Sequence, residues 1–243
     1  MGITFLKAGG MPSREECQFI ELNNFCSDRK LNLTFEWMEG QFWLHSDRPG
    51  EAPIGPLIDQ ELKRHEQYFK KSSLHKELLA RAVGIKGAFR PKIIDLSAGL
   101  LGDSLLFLAM GCEVVAIERH PVVCFLLKSA LQNSTHPYLE RLSLMEGDAL
   151  DILPKLKADV LYFDPMFDDV NEKTAPRKEM RIFRSLVGGD PDAGDVFQKV
   201  RLMRPRRLVI KRPRLSEVLG AKSDVQYKGK STRYDVYFSL QND

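Results

Sequence analysis

Asp164-Pro165-Met166-Phe167 stands directly behind an apolar run, Val160-Leu161-Tyr162-Phe163, and joins a carboxylate, a stiff imide carbonyl and an aromatic face, a set that could hold a planar amine such as that of a nucleobase. An exocyclic amine of guanine or adenine is a poor nucleophile, because its lone pair is delocalised into the ring. Acceptors placed on its hydrogens favour a more tetrahedral nitrogen and oppose that delocalisation. Asp164 supplies one acceptor and the Pro165 carbonyl another. Proline also stiffens the backbone and has no N–H to compete. Phe167 offers a face for base stacking, worth roughly 1–3 kcal/mol per base. A group transfer onto such an amine is then a matter of positioning and desolvation, with no covalent intermediate on the protein. Asp-Pro is also common in ordinary turns, so the reading depends on what stands beside it.

Three further segments end an apolar run on small or acidic residues. After Lys92-Ile93-Ile94 comes "DLSAGLLGDS", with Asp95, Ser97, Gly99, Gly102 and Asp103. Its small residues allow a tight turn and close backbone approach to a ligand. The spacing is neither GxGxxG nor GK[ST], so a Rossmann dinucleotide loop and a P-loop both fit poorly. Carboxylates here repel a pyrophosphate and suit a cationic or hydroxyl-bearing ligand. After Glu113 to Ile117 comes "IERHP", where Glu118 lies at the distance beyond the glycine turn at which an acid takes the hydroxyls of a ribose; a surface pair with Arg119 is the plainer alternative. After Leu142 to Met145 comes "EGDAL", where Asp148 can accept from an adenine amine and Ala149 leaves room for the ring. A nucleoside site lacking a phosphate anchor, and favouring positive charge, describes S-adenosylmethionine.

The elements that must position these residues alternate strand and helix. Helices are expected over Leu74 to Val83, capped by Ser73 and closed by Gly84, and over Ser104 to Met110, Pro121 to Leu131, Pro176 to Leu186 and Val196 to Met203. Leu208 to Ile210 is a fifth strand, and Val225 to Tyr227 and Tyr234 to Leu240 are two closing ones. Apolar strands alternating with helices imply a mostly parallel sheet that binds ligands at the carboxyl ends of its strands. Before this pattern, Leu31 to Trp37 alternates apolar and polar residues, Glu39-Gly40 turns, and Gln41 to His45 returns. Residues 1–70 therefore read as a small β-rich N-terminal subdomain and 71–243 as the α/β domain.

The chain has 243 residues, 43% of them apolar, and a net charge of +3. No apolar run approaches a membrane span, and the first ten residues lack a signal-peptide pattern; a cytoplasmic protein is expected. The four cysteines have no CxxC spacing and no histidine cluster near them, which predicts reduced structural thiols and no metal site. Lys199 to Arg214 carries eight basic residues and no acid, an electrostatic footprint for phosphates or a plain solvated face. Lys211 and Arg212, at the end of the fifth strand, and Arg181, in the helix expected after the DPMF loop, are the cations best placed to meet an RNA backbone.

The order of these strand ends resembles class I S-adenosylmethionine-dependent methyltransferases, and DPMF resembles the [DN]PP[YF] signature of enzymes that methylate base amines. Over about Ile93 to Tyr237 the chain is similar to one family in particular, ribosomal RNA small subunit methyltransferase J. The stretches that carry the likeness are "DLSAG" with Asp103, "ERHPVV", "YFDPMF", "KEMRIFRSLVG", "VIKRP" and "RYDVY". The resemblance implies a class I methyltransferase fold with a seven-stranded, mostly parallel sheet. It implies methyl transfer from S-adenosylmethionine to N2 of a guanosine in 16S ribosomal RNA, presented as RNA or small subunit. It places cofactor contacts at Gly102, Asp103, Glu118, Arg119, Asp148, Ala149 and Asp164. Family members usually carry glycine where this chain has Leu101, and threonine is more common where it has Ser97. Other readings are a methyltransferase acting on adenine N6 or guanine N2 of another RNA or DNA, a nicotinamide oxidoreductase, disfavoured by the missing GxGxxG, and a non-catalytic RNA-binding module, disfavoured by the intact Asp164-Pro165 pair. The oligomeric state is not written in the sequence.

Overall fold

A computed structural model describes residues 3–6, 22, 33–38, 40–45, 53–166 and 186–239. In chain order its elements are β1 (Ile3–Leu6), β2 (Leu33–Met38), β3 (Gln41–His45), α1 (Ile58–Lys71), α2 (Leu78–Val83), β4 (Lys92–Asp95), α3 (Gly102–Ala109), β5 (Glu113–Glu118), α4 (Pro121–Asn133), β6 (Leu142–Glu146), α5 (Ala149–Ile152), β7 (Val160–Phe163), α6 (Ala193–Leu202), β8 (Arg207–Pro213), β9 (Val225–Lys228) and β10 (Thr232–Phe238). They fall into two compact units. One draws on Met1–Asp59, His120–Thr135 and Asp169–Gly188, the other on Gln60–Arg119, His136–Asp168 and Gly189–Asp243.

In the first unit β2 and β3 form the expected hairpin, turning at Gly40 with φ +79°, and β1 adds to β2 in parallel. Strand alternation sends Phe35, Phe42 and Leu44 to one buried face. α4 covers it with Val122, Phe125 and Leu126. The Phe125 ring meets Phe35 edge-on at 5.6 Å and Phe42 at 4.7 Å, and the Phe42 N–H donates to Ser129 Oγ at 3.1 Å. The N-terminal strands thus share a core with a helix far downstream in sequence.

The second unit is built on a seven-stranded sheet in the order β6-β5-β4-β7-β8-β10-β9. β4 to β8 run parallel, and β10 is antiparallel to both β8 and β9. The strand order reverses direction at β4, so the ligand crevice of such a sheet lies at the carboxyl ends of β4 and its neighbours. Ile94, Val115, Ile117, Leu161, Phe163, Leu208 and Ile210 line one face, packed with Val196, Phe197 and Val200 of α6. α2 lies against β8, β9 and β10, and α3 against β5.

Several elements differ from the expectations, β1 among them, which was not anticipated. Residues 58–71 form a helix whose Ile58 and Leu62 are buried four residues apart, inside the span expected to be β-rich. The helix expected over Leu74 to Val83 is a 3₁₀ turn, Leu74–Lys76, followed by α2; Ser73 makes no capping hydrogen bond, while Gly84 closes α2 at φ +83° as expected. The short helix α5 and the 3₁₀ turn Pro137–Arg141 were not anticipated. The helix expected over Pro176 to Leu186 lies outside the described residues, apart from Leu186.

At the far end of the sheet, buried Arg233 forms a two-pronged ion pair with Asp235, both contacts 2.8 Å. The same guanidinium donates to the carbonyls of Arg214 and Ser216 at 3.1 and 2.8 Å, tying down the chain that leaves β8. Asp235 is fully buried. Asp235→Ala should cost about 3–5 kcal/mol in equilibrium denaturation, because it leaves a buried cation unpaired; a loss below about 1 kcal/mol would show the pair to be dispensable.

Candidate functional site

The registers of three parallel strands decide which side chains meet. Asp95 pairs with Tyr162 across β4 and β7. Phe163 pairs with Ile210 across β7 and β8, so Asp164 and Lys211 follow as the next neighbours. Tyr234 of β10 lies opposite Lys211. Side chains alternate along a strand, so Asp95, Tyr162, Asp164, Lys211 and Tyr234 share a face, opposite the one packed by α6.

On that face a lysine is clamped between two acids. Lys211 Nζ donates to Asp103 Oδ2 and to Asp164 Oδ2, each at 2.8 Å. Asp103, in the first turn of α3, also accepts the Tyr162 hydroxyl on Oδ2 at 2.5 Å. Burial works to lower the Lys211 pKa, but the two carboxylates more than offset it and hold the ammonium charged. Burial pushes the Asp164 carboxyl up to about 6; Lys211 pulls it down, and Asp103 and Asp190 push it up. About a third of the Asp164 side chain remains open to solvent. Burial and the nearby acids raise the hydroxyls of Tyr162 and Tyr234.

The first turn is wired through Asp95 and Ser97. Asp95 Oδ1 accepts the Ser97 N–H at 3.1 Å, and Oδ2 accepts the Ser104 hydroxyl at 2.7 Å. Ser97 Oγ in turn accepts the Asp164 N–H at 2.9 Å, joining the β4 turn to the start of the DPM segment. Gly99 has φ +53° and donates its N–H to Glu118 Oε2 at 2.8 Å. Nothing lies within 4 Å of where a Cβ on Gly102 would stand. Leu101 adopts φ +67°, the left-handed region that favours glycine, although its side chain is fully buried. The strained residue sits where the resemblance led to an expectation of glycine, and its packing offsets a conformational cost of about 1–2 kcal/mol.

The structure places the expected residues unevenly. Asp95, Ser97, Gly99, Glu118, Asp164 and Pro165 lie at the carboxyl ends of β4, β5 and β7 or in the turns that follow, and Gly102 and Asp103 open α3. Asp148 caps α5, its Oδ1 accepting the Leu150 N–H at 2.8 Å, with buried Ala149 next to it. Arg119 pairs with Asp190 and with Asp192, at 2.7 Å for Asp192. Phe167 and Arg181 lie outside the described residues. Two cations expected to meet RNA have other partners. Lys211 is taken up by Asp103 and Asp164. Arg212 is only 8% exposed and donates from Nη2 to the Glu217 carbonyl at 2.8 Å. Strand alternation separates the two, because adjacent residues of a strand point to opposite faces.

Asp190 was missed. Its Oδ2 accepts the Met166 N–H at 2.7 Å, its own N–H donates to the Met166 carbonyl at 3.0 Å, and Oδ1 meets Arg119. It thereby fastens the DPM segment to the end of β5. Gly188-Gly189 was expected only to close a helix, and nothing in the pattern marked the acid that follows. Tyr162 and Ser104, read only as strand and helix residues, were missed as partners of the site's acids.

A family described as "Putative SAM-dependent methyltransferase" matches residues 26–239. The chain is 41% identical over 198 residues to ribosomal RNA small subunit methyltransferase J of Thioalkalivibrio sulfidiphilus, covering 77% of each chain. It is 42% identical over 171 residues to the protein of that name from Laribacter hongkongensis, covering 67% of this chain and 61% of that one. The chain belongs to the methyltransferase J family. The fold agrees: a SAM-dependent methyltransferase from Neisseria gonorrhoeae superposes with a TM-score of 0.69 at 23% identity, covering 100% of this chain and 98% of that one. The family's cofactor is S-adenosylmethionine, and the donor set fits it. The open space at Gly102 leaves the first turn accessible, and the acids at the strand ends suit a cationic nucleoside better than a phosphate. Among the described residues no helix is long and apolar enough to cross a membrane, and no cluster of metal-ligating side chains occurs.

Burial lifts the Asp95 carboxyl from 3.8 to about 7, against the hydrogen bonds from Ser104 and Ser97. The folded protein therefore holds that proton more tightly than the unfolded chain, and ionising Asp95 costs stability as pH rises between those values. Asp95→Asn cannot ionise, so its stability relative to wild type should climb from pH 4 to pH 7 in urea titrations. A difference that stays flat over that window would contradict the assignment.

Proposed function

We propose that the protein transfers a methyl group from S-adenosylmethionine to N2 of a guanosine in 16S ribosomal RNA, as naked RNA or within the small subunit, in the cytoplasm. The observation that carries this reading is the placement of Asp164. It stands at the carboxyl end of β7, beside the switch point of the sheet, partly open, followed by Pro165 and held from behind by Lys211. The names of the relatives, which specify small-subunit ribosomal RNA, support the substrate.

S-adenosylmethionine, when bound, supplies an electrophilic methyl on a sulfonium. In this reading Glu118 takes the ribose hydroxyls, Asp148 and Ala149 border the adenine, and Asp95, Ser97, Gly99, Gly102 and Asp103 shape the turn around the remainder of the ligand. Arg119 acts through its pairs with Asp190 and Asp192. Asp164 accepts a hydrogen from the target amine, with the Pro165 carbonyl as a second acceptor and Phe167 as a stacking face. A carboxylate at this position suits guanine, because it can bridge the amine and the ring N1–H. The target base leaves its stack to reach the site, at a cost of roughly a few kcal/mol. Arg181 serves the RNA backbone.

Tritium from labelled S-adenosylmethionine should appear in 16S RNA from unmodified subunits, and nucleoside digestion should find it in N2-methylguanosine. Label in N6-methyladenosine, or none in RNA, would contradict the proposal. Asp164→Ala should lower kcat by about 100-fold or more, the usual loss for a transition-state acceptor, while S-adenosylhomocysteine binding, measured by calorimetry, stays within about tenfold of wild type because that residue is one of several cofactor contacts. Near-normal turnover in this variant would overturn the mechanism.

A further inference from the structure

The surroundings of Lys211 conflict with the role its position in the sequence implied. A lysine that binds RNA phosphates must offer its ammonium to solvent. Here the ammonium is engaged by two carboxylates at 2.8 Å, one from the start of α3 and one from the end of β7. We infer that Lys211 is a positioning residue of the transfer site: by bridging Asp103 and Asp164 it fixes the orientation of the Asp164 carboxylate that receives the target amine. This inference rests on the functional reading above.

The argument is one of charge and register. The parallel pairing of β7 with β8 puts residues 164 and 211 side by side, and α3 delivers Asp103 to the same point. Asp95 of β4 and Asp190, which follows the DPM segment, add further acidity, and Tyr162 of β7 and Tyr234 of β10 line the same face. Asp103 and Asp190 are like charges that raise the proton affinity of Asp164. Without a cation, Asp164 would hold a proton near neutral pH and present an O–H where the amine needs an acceptor. Lys211 opposes that and, by occupying Oδ2, leaves the rotation of the carboxylate determined. Its second partner, Asp103, pins the ammonium so that the lysine cannot swing away with its acid. Tyr162 donates to the same oxygen of Asp103 and holds that acid in turn.

The test is a carbon-13 NMR titration of protein labelled at aspartate carboxyls, with Asp164→Asn identifying the signal; it needs no turnover, so a failure of the functional reading does not obscure it. In Lys211→Met the Asp164 midpoint should rise by about one pH unit or more. In Asp103→Asn, which removes an acid and keeps the lysine, it should fall. This second variant lowers the net acidity of the cluster and serves as the check if Lys211→Met is poorly folded. Lys211→Arg should restore the midpoint toward wild type. In the transfer assay Lys211→Met should lower kcat about tenfold or more with the RNA KM unchanged, and the salt dependence of RNA binding should keep its slope. An Asp164 midpoint that stays put in both Lys211→Met and Asp103→Asn, or a salt slope reduced by about one in Lys211→Met, would overturn the inference and return Lys211 to the RNA surface. Absence of methyl transfer by the wild-type protein would instead count against the proposed function alone.

Discussion

Acids collected at one end of a parallel sheet need a counter-charge, and Lys211 between Asp103 and Asp164 provides it. Bringing β4, β7 and α3 together collects carboxylates from residues 95, 103 and 164, and Asp103 raises the proton affinity of both Asp95 and Asp164. The arrangement is tolerable because every acid has a hydrogen-bonding partner, Lys211 being shared by two of them. Asp95 has Ser97 and Ser104, Asp103 has Tyr162 and Lys211, and Asp164 has Lys211. Farther from the centre, Asp190 is balanced in the same way by Arg119 and the Met166 amide. The site is thus held by polar contacts among strand ends and turns, while the apolar cluster under α6 supplies the rigid platform.

The first turn shows how local strain and packing trade against each other. Gly99 takes a positive φ without penalty and offers its N–H to Glu118, linking the ends of β4 and β5. Leu101 takes a positive φ that side chains avoid, yet its N–H donates to the Ala98 carbonyl and its own carbonyl accepts from Leu105, both at 2.8 Å. The turn is over-determined by those bonds and by burial of the leucine, so the backbone shape usually secured by glycine persists without it.

Much of this was legible in the residues. The strands of the sheet appeared where they were expected; β4, β5, β7 and the middle of β8 stood out because strands buried on both faces read as continuous apolar segments, and the hairpin of β2 and β3 was plain from its alternation and Gly40. The Asp-Pro pair after β7 and the acids after β4 and β5 marked the crevice, since a parallel sheet binds at its carboxyl ends. Pairings across long sequence distance were not legible. Asp190 stands 24 residues beyond Met166, and no local pattern reveals that contact. Lys211 and Arg212 looked alike as adjacent cations; only the register with β7 and β10 separates them, sending one to Asp164 and the other to the Glu217 carbonyl. The helix α1 was overlooked although its apolar residues recur at helical spacing, because the segment before it is β-rich.

The most direct measurement is a crystal structure with S-adenosylhomocysteine and a guanosine nucleotide bound together. The account predicts ribose hydroxyls of the cofactor product within hydrogen-bond distance of Glu118, the guanine amine on an oxygen of Asp164, and Lys211 still bridging to Asp103. An adenosyl group bound away from the carboxyl ends of β4 and β5, or a guanine amine with no contact to Asp164, would contradict it.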